Sequence, residues 1–276
     1  MIEIPESYVL VDQINKELKG KRIKEARANH SPHTFAMYSG NPSEYNNKLA
    51  GKRIFGADIY SGSVRIKAED MILLITTPIR FHKQNGKLPL KHQLFIEFED
   101  ATFITCTIQM WGSLFCFKEG DNNGIPKEYK INPNPSPLEE AFNEEYFTAL
   151  IQREKLTSLS LKAFLTTEQR ITGLGNGAAQ DILFHAGFHP KRKVSTLQDT
   201  EWNNLYKTVK RVLTEMYHKG GRDTEYDLYG SKGGYRTILS KNTVNQPCPV
   251  CHTVIKKESY LGGSIYICEK CQGVYS

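Results

Sequence analysis

Four cysteines near the C-terminus carry the most specific chemical signal in the chain. Cys248 and Cys251 form one C-x-x-C pair, Cys268 and Cys271 another, and sixteen residues lie between the pairs. Two pairs of thiolates at this spacing can close a tetrahedral shell around one divalent ion. The stretch between them, TVIKKESYLGGSIYI, reads as two short strands around Gly262-Gly263, a hairpin that brings the pairs together. A shell closed by four sulfurs leaves no position for a substrate, so one structural Zn2+ is expected. Zinc binding contributes roughly 10–16 kcal/mol in small finger peptides, enough to fold a module with little core. A redox role for either pair would call for a βαβ pattern nearby, and none is visible.

Two further groups invite chemistry. Glu3 and Glu6 bracket Pro5 in the opening MIEIPESYVL. They precede an apolar run, Val11, Ile14 and Leu18, whose spacing predicts a helix over 5–19 with Gly20 as its stop. The carboxylates are either a helix start or part of an active site. In RITGLGNGAAQDILFHAGFHPKRK, Gly173, Gly175 and Gly177 surround Asn176 and lead into an apolar helix from Ala178 to Ala186. A helix start after such a turn offers N–H groups to an anion, and Lys191, Arg192 and Lys193 follow. The Lys-Ser/Thr pair of a nucleotide loop is absent. By spacing alone, a tight interhelical turn and a phosphate grip both fit.

The elements that would position these groups follow a simple order. After the first helix, residues 21–118 read as strands: KRIFGADIY, SVRIKAEDMILLIT, HQLFIEFED, ATFITCTIQM and GSLFCF. Residues 119–137 are rich in Gly, Pro and Asn and read as a linker. From 138 the pattern is helical, in PLEEAFNEEYFTALIQ, SLKAFLTTEQ, NGAAQDILFHAG and TEWNNLYKTVKRVLTEMYHKG. The expected domains are 1–118, 138–240 and a cysteine hairpin over 241–276. Cys106 and Cys116 sit in strand-like stretches and are expected to be buried free thiols.

At 276 residues the chain has room for real cores, and its net charge of +6 permits a polyanionic partner without demanding one. No apolar stretch reaches the roughly 18 residues of a membrane span. With no signal peptide visible in positions 1–20, a cytoplasmic location is the default expectation, nucleoid-associated if bacterial.

The segment GLGNGAAQDILFHAGFHPKRK resembles the helix–two-turn–helix of the formamidopyrimidine-DNA glycosylase / endonuclease VIII family. PCPVC…CEKCQ resembles that family's zinc hairpin, down to Gln272, and EIPE at residues 3–6 is similar to its N-terminal E-L-P-E. The likeness touches both ends of the chain. It implies an α+β fold: an N-terminal helix with a β-sandwich domain, then a helical helix–two-turn–helix domain with a zinc-ribbon hairpin. It also implies base excision from damaged double-stranded DNA by a monomer, with Asn176 and Gly175 on the phosphates and Lys191 close by. A flipped base would be cut through an oxocarbenium-like state with a carboxylate handling protons. Glu3 falls on the family's proton-transfer glutamate and Glu6 on its supporting one, so both are candidate catalytic residues. Gln109, Met110 and Trp111 align with residues that fill the gap left by the flipped base; Trp111 is either such a wedge or a half-buried strand residue.

Three positions depart from the family. Ile2 stands where the family has its nucleophilic proline, and an isoleucine there leads us to expect that Met1 is retained. The terminal amine would then be displaced by about 3.5 Å, where a misplacement of about 1 Å can cost ~10²-fold. Gly62 stands at a family lysine, with Arg65 or Lys67 as substitutes. Gly263 stands at the phosphate-binding arginine of the zinc hairpin. The expectation is a glycosylase with weak or lost lyase activity. The alternatives are a catalytically silent protein for damaged or branched DNA and a zinc scaffold for protein partners. In the Gly-rich loop 220–237, Arg222, Asp223 and Tyr235 either touch a flipped base or are solvated, and the solvated reading is favoured. His185 and His189 are expected to pack, or to face phosphate, and not to bind metal.

Overall fold

The computed structural model of the chain describes residues 2–121, 134–152, 156 and 158–273. Most of the expected linker, 122–133, lies outside the described residues. The chain divides into two compact units. The first takes Met1–Ile2, Glu6–Pro133 and Glu225–Lys232; the second takes Glu3–Pro5, Asn134–Thr224 and Gly233–Ser276.

In chain order the first unit carries helix α1 (Ile4–Glu17, whose first two residues belong to the second unit), strands β1 (Ile23–Ala28) and β2 (Ala36–Tyr38), and a short helix α2 (Tyr45–Leu49). Strands β3 (Ile54–Tyr60), β4 (Ser63–Ala68), β5 (Met71–Ile75), β6 (Ile79–His82), β7 (Leu94–Phe98), β8 (Phe103–Cys106) and β9 (Gly112–Lys118) follow. They form a four-stranded sheet, β1-β7-β8-β6, and a five-stranded sheet, β2-β9-β5-β4-β3. Alternate residues of both sheets meet in one core with α1: Ile96 and Ile104 from the first, Ile66, Leu73 and Cys116 from the second, Leu10 and Ile14 from the helix. The opposite face of the five-stranded sheet buries Ile72, Leu74, Phe115 and Phe117. Burial on both faces is why MILLI is apolar throughout and does not alternate.

Two long strand-like stretches of the sequence are broken. SVRIKAEDMILLIT is two strands, because Glu69 turns at φ 53° between β4 and β5. ATFITCTIQM ends its strand at Cys106, and the chain bends through Gln109 and Met110 before β9. The β3–β4 hairpin turns on Ser61 (φ 49°) and Gly62 (φ 71°), both left-handed, as a two-residue hairpin loop requires. Gly62 is thus a turn residue. Arg65 forks onto Asp58 at 2.6 and 2.8 Å, and the Lys67 ammonium stands 3.0 Å from the same carboxylate.

The second unit carries α3 (Glu144–Gln152), α4 (Leu161–Thr166), α5 (Asn176–Ala186), α6 (Asp199–His218), the hairpin strands β10 (Lys256–Tyr260) and β11 (Gly263–Ile267), and a single turn α7 (Glu269–Gln272). Helix α5 ends on Gly187 at φ 76°, a left-handed cap that suits glycine. Helix α6 opens with a reciprocal capping box between Gln198 and Glu201. Among the described residues, no helix is long and apolar enough to cross a membrane.

Candidate active site and metal centre

The start of helix α5 shows what the three glycines do. The amides of Gly177 and Ala178 donate to Glu3 Oε1 and Oε2 at 2.9 and 2.8 Å. These first-turn N–H groups, which the sequence offers to an anion, are taken by a carboxylate of the chain itself. The helix dipole favours a negative charge at this place. Gly173 has φ 81° and its carbonyl accepts the Ile4 amide at 3.0 Å, which sets the approach of Glu3. Gly175 and Gly177 leave space: a Cβ at Gly175 would stand 2.5 Å from Glu3 Cδ, and one at Gly177 would overlap the Arg222 guanidinium.

Arg222 is 2% exposed, and its Nη1 lies 3.4 Å from Glu3 Oε1. Glu3 thus meets two backbone amides, one on each oxygen, and a buried guanidinium beside Oε1. Behind Arg222 lies Asp181, fully buried, accepting the amides of Ile238 and Leu239 at 2.9 and 2.8 Å. Burial pushes the Asp181 carboxyl up to about 6, against the pull of those amides, Tyr235 and Arg222. Tyr235 is 3% exposed, and Asp223 accepts the Thr237 amide and hydroxyl. The favoured reading of Arg222 and Tyr235 as solvated loop residues is therefore corrected: both are buried. Their burial follows from Gly220-Gly221, both at positive φ, and from Gly233, where a Cβ would overlap the Gly221 carbonyl.

The other candidate positions divide between the units. In the first, Glu6 is buried in the opening turn of α1, and Ile2 is buried with its amide donating to the Thr76 carbonyl at 3.0 Å. Gln109, Met110 and Trp111 form an exposed bend, Met110 at 74% and Trp111 at 41%. In the second, Asn176 Nδ2 donates to the Ser264 carbonyl of β11 at 3.0 Å; Gln180 donates to the same carbonyl and accepts the Tyr266 amide. Lys191 pairs with Glu258 on β10 and lies over the Tyr260 ring. His185 and His189 are held below the usual imidazole range, first by burial, in keeping with a packing role.

Lys162 was not singled out from the sequence. It is 4% exposed, and its ammonium donates to the Tyr260 carbonyl at 2.6 Å, near Gly263. Burial lowers its pKa. The available signal was a lysine inside SLKAFL, where Leu161, Ala163, Phe164 and Leu165 are all buried.

The four hairpin cysteines are free thiols whose Sγ atoms lie within 4.8 Å of one another, with Cys248–Cys271 at 3.8 Å and Cys251–Cys268 at 3.3 Å. Sulfurs on a tetrahedron with bonds of about 2.3 Å stand about 3.8 Å apart, so the donor set fits one metal ion. Leu261 (φ 50°) and Gly262 (φ 69°) make the hairpin turn that closes it. Gln272 ties the last knuckle down, accepting the Cys268 amide and donating to the Phe188 carbonyl, both at 3.0 Å.

Residues 134–226 match the formamidopyrimidine-DNA glycosylase H2TH domain. The formamidopyrimidine-DNA glycosylase of Carboxydothermus hydrogenoformans is 32% identical over 258 residues, covering 82% of this chain and 94% of that protein. The chain belongs to the formamidopyrimidine-DNA glycosylase family. A second member, from Listeria monocytogenes, is 26% identical over 290 residues, 99% of this chain and all of its own length. The family fold is also seen in the complex of the Lactococcus lactis protein with DNA containing an abasic site, at a TM-score of 0.81 and 20% identity, covering 98% of this chain and 99% of that one. The helix start on which Glu3 sits lies within the matched H2TH domain.

Proposed function

We propose that this protein is a DNA glycosylase of base excision repair that binds damaged duplex DNA and hydrolyses the N-glycosidic bond of a flipped base. The observation that carries the reading is Glu3, seated on the first-turn amides of α5 and beside the buried Arg222 guanidinium. A water molecule attacks C1′ as the glycosidic bond breaks. The base leaves with the bonding electrons, and Glu3 takes the proton given up by the water and passes it to the departing base. Glu6 supports the site. The names of the relatives, and a fold neighbour that holds abasic DNA, support the substrate class.

Lyase activity is weak or absent. Its chemistry requires a nucleophilic amine at position 2, and the Ile2 side chain is buried with its N–H spent on Thr76. Asn176 keeps a second amide N–H for a phosphate, with the Gly175 backbone and Lys191 beside it, and the exposed bend of Gln109, Met110 and Trp111 supplies the wedge. Cys248, Cys251, Cys268 and Cys271 would hold one structural Zn2+, which when bound cross-links the two knuckles. The expected domain limits, 1–118, 119–137, 138–240 and 241–276, stand as part of this proposal, as does a monomeric state.

Base release from duplexes carrying a formamidopyrimidine lesion tests the reading. Release by the zinc-loaded chain and its loss in Glu3→Gln are expected, with no covalent adduct to abasic DNA under borohydride. The loss of the family's lysine and arginine at Gly62 and Gly263 favours a second reading, a protein that binds damaged DNA and cuts nothing. Tight binding without release by the wild type would establish it.

A further inference from the structure

We infer that Phe35 is a base-stacking residue of the duplex-binding surface: beside Trp111 it offers a second exposed ring to a base unstacked next to the lesion. This role rests on the DNA binding proposed above and falls to a residue outside the sites described so far.

Phe35 is 61% exposed at the end of the loop that precedes β2, and Trp111 ends the bend that precedes β9. The two strands run parallel with Ala36 opposite Gly112, and the Gly112 amide donates to the Phe35 carbonyl at 3.1 Å. Neighbouring strands lie about 4.8 Å apart, so the two side chains start from adjacent positions. The backbone at Phe35 is held on its other side too, its amide donating to His33 Nδ1 at 3.2 Å. Buried Gln93 braces both segments at once: its Nε2 donates to the Ser31 carbonyl at 2.8 Å, and its Oε1 accepts the Ile108 amide at 2.7 Å. The Ser31 amide donates to the His92 carbonyl at 3.0 Å, and the His30 and His92 rings stack 4.4 Å apart. Phe35 and Trp111 are thus presented together on a braced backbone.

The partner follows from the composition of this surface. Segments 29–38, 86–93 and 107–113 contain Lys87, Lys91 and three histidines and no aspartate or glutamate. Exposed rings among cations, without an acidic group in the same segments, suit an unpaired stretch of nucleic acid, whose bases lie on aromatic faces while cations follow the phosphates. A single exposed aromatic is ordinary, but here Phe35 and Trp111 are joined by Met37 at 42% and Met110 at 74% exposure. A flipped nucleotide leaves the bases around it without a stacking neighbour, and a ring face replaces that neighbour.

The experiment uses the full, zinc-loaded chain and duplexes carrying an abasic analogue, with 5-iodouracil opposite the analogue or one step to either side. Irradiation is expected to join 5-iodouracil to Phe35 in at least one of these duplexes, as mass spectrometry of the digested adduct would show. Phe35→Ala is expected to bind the abasic duplex at least about fivefold more weakly, the low end of what one stacked base contributes. Its affinity for a fully paired duplex should stay within about twofold of wild type. Phe35→Trp keeps a ring face and should bind the abasic duplex within about twofold of wild type. Phe35→Leu keeps apolar bulk without the face and should bind as weakly as Phe35→Ala. Because Phe35 is exposed, the thermal midpoints of all three variants should match that of wild type within about two degrees. No adduct at Phe35, or wild-type affinity in Phe35→Ala or Phe35→Leu, overturns the inference. Wild type that binds and cross-links through Phe35 but releases no base overturns the glycosylase reading and leaves Phe35 in its role. Base release by wild type, with unchanged abasic-duplex affinity in Phe35→Ala, overturns the role of Phe35 and leaves the glycosylase reading standing.

Discussion

Asn176 donates its side-chain amide to the Ser264 carbonyl at 3.0 Å, so the H2TH helix and the cysteine hairpin are joined at the residue expected to meet phosphate. An amide keeps a second N–H after that bond. Asn176→Ala is expected to weaken binding to duplex with an abasic analogue at least tenfold. The slope of log K against log salt should not change, because a neutral amide displaces no counterion. Fluorescence anisotropy at several salt concentrations checks both, and unchanged affinity would remove Asn176 from the interface.

Gly175→Ala tests the space kept for Glu3. Gly175 has φ −111°, open to any residue, so the backbone tolerates the change. The new methyl group would stand 2.5 Å from Glu3 Cδ and must displace it. Single-turnover base release should fall by about 10²-fold, as for a misplaced reacting group, while the far-ultraviolet circular dichroism stays that of the wild type. Full activity in Gly175→Ala would show that Glu3 does not work from its observed seat.

Metal removal should act on the hairpin. Elemental analysis is expected to find one zinc per chain and less in Cys248→Ser, whose remaining three sulfurs no longer close the shell. Chelation should abolish DNA binding, and added Zn2+ should restore it. A metal-free chain with full DNA affinity would contradict the structural role.

Asp181 gives a pH dependence with a definite sign. Burial raises its carboxyl to about 6 from an ordinary 3.8, so the folded chain holds a proton that the unfolded chain has released between those values. Its contribution to stability is therefore fully present below about pH 3.8 and is lost as pH rises through about 6. Asp181→Asn does not titrate. Its thermal midpoint relative to wild type should climb between pH 4 and about 6.5 and then level off. A flat difference over that window would refute the assignment.

Much of the site was legible because its signals are local. The cysteine spacing, the hairpin between the pairs and the apolar period of α5 are each contained within a few dozen residues; the turn falls on Leu261 and Gly262, one residue before the expected Gly262-Gly263. The occupant of the α5 start was not legible. Glu3 lies more than 170 residues away in sequence from Gly177, and no spacing rule links them. Arg222 was misread for a related reason: a Gly-rich, charged stretch has the composition of a solvated loop, yet its glycines let the backbone fold tightly enough to bury the guanidinium. The same stretch continues into Glu225–Lys232, which belongs to the first unit, where Leu228 is fully buried in the sandwich core. One apolar residue in DLYGSK carries too little periodicity to announce that burial. Lys162 was passed over because a lysine in an apolar helix more often extends to solvent.

The two thiols of the sandwich have a practical bearing on the chemistry of the other four. Cys106 is wholly shielded and Cys116 nearly so, and burial pushes both up, Cys116 to about 12. Neither forms a thiolate near neutrality, so neither reacts with an alkylating or chromogenic reagent while the chain is folded. Every sulfhydryl that such a reagent counts in the native state then comes from the fingertip, and the colour that develops is a direct gauge of how many chains have let go of their ion.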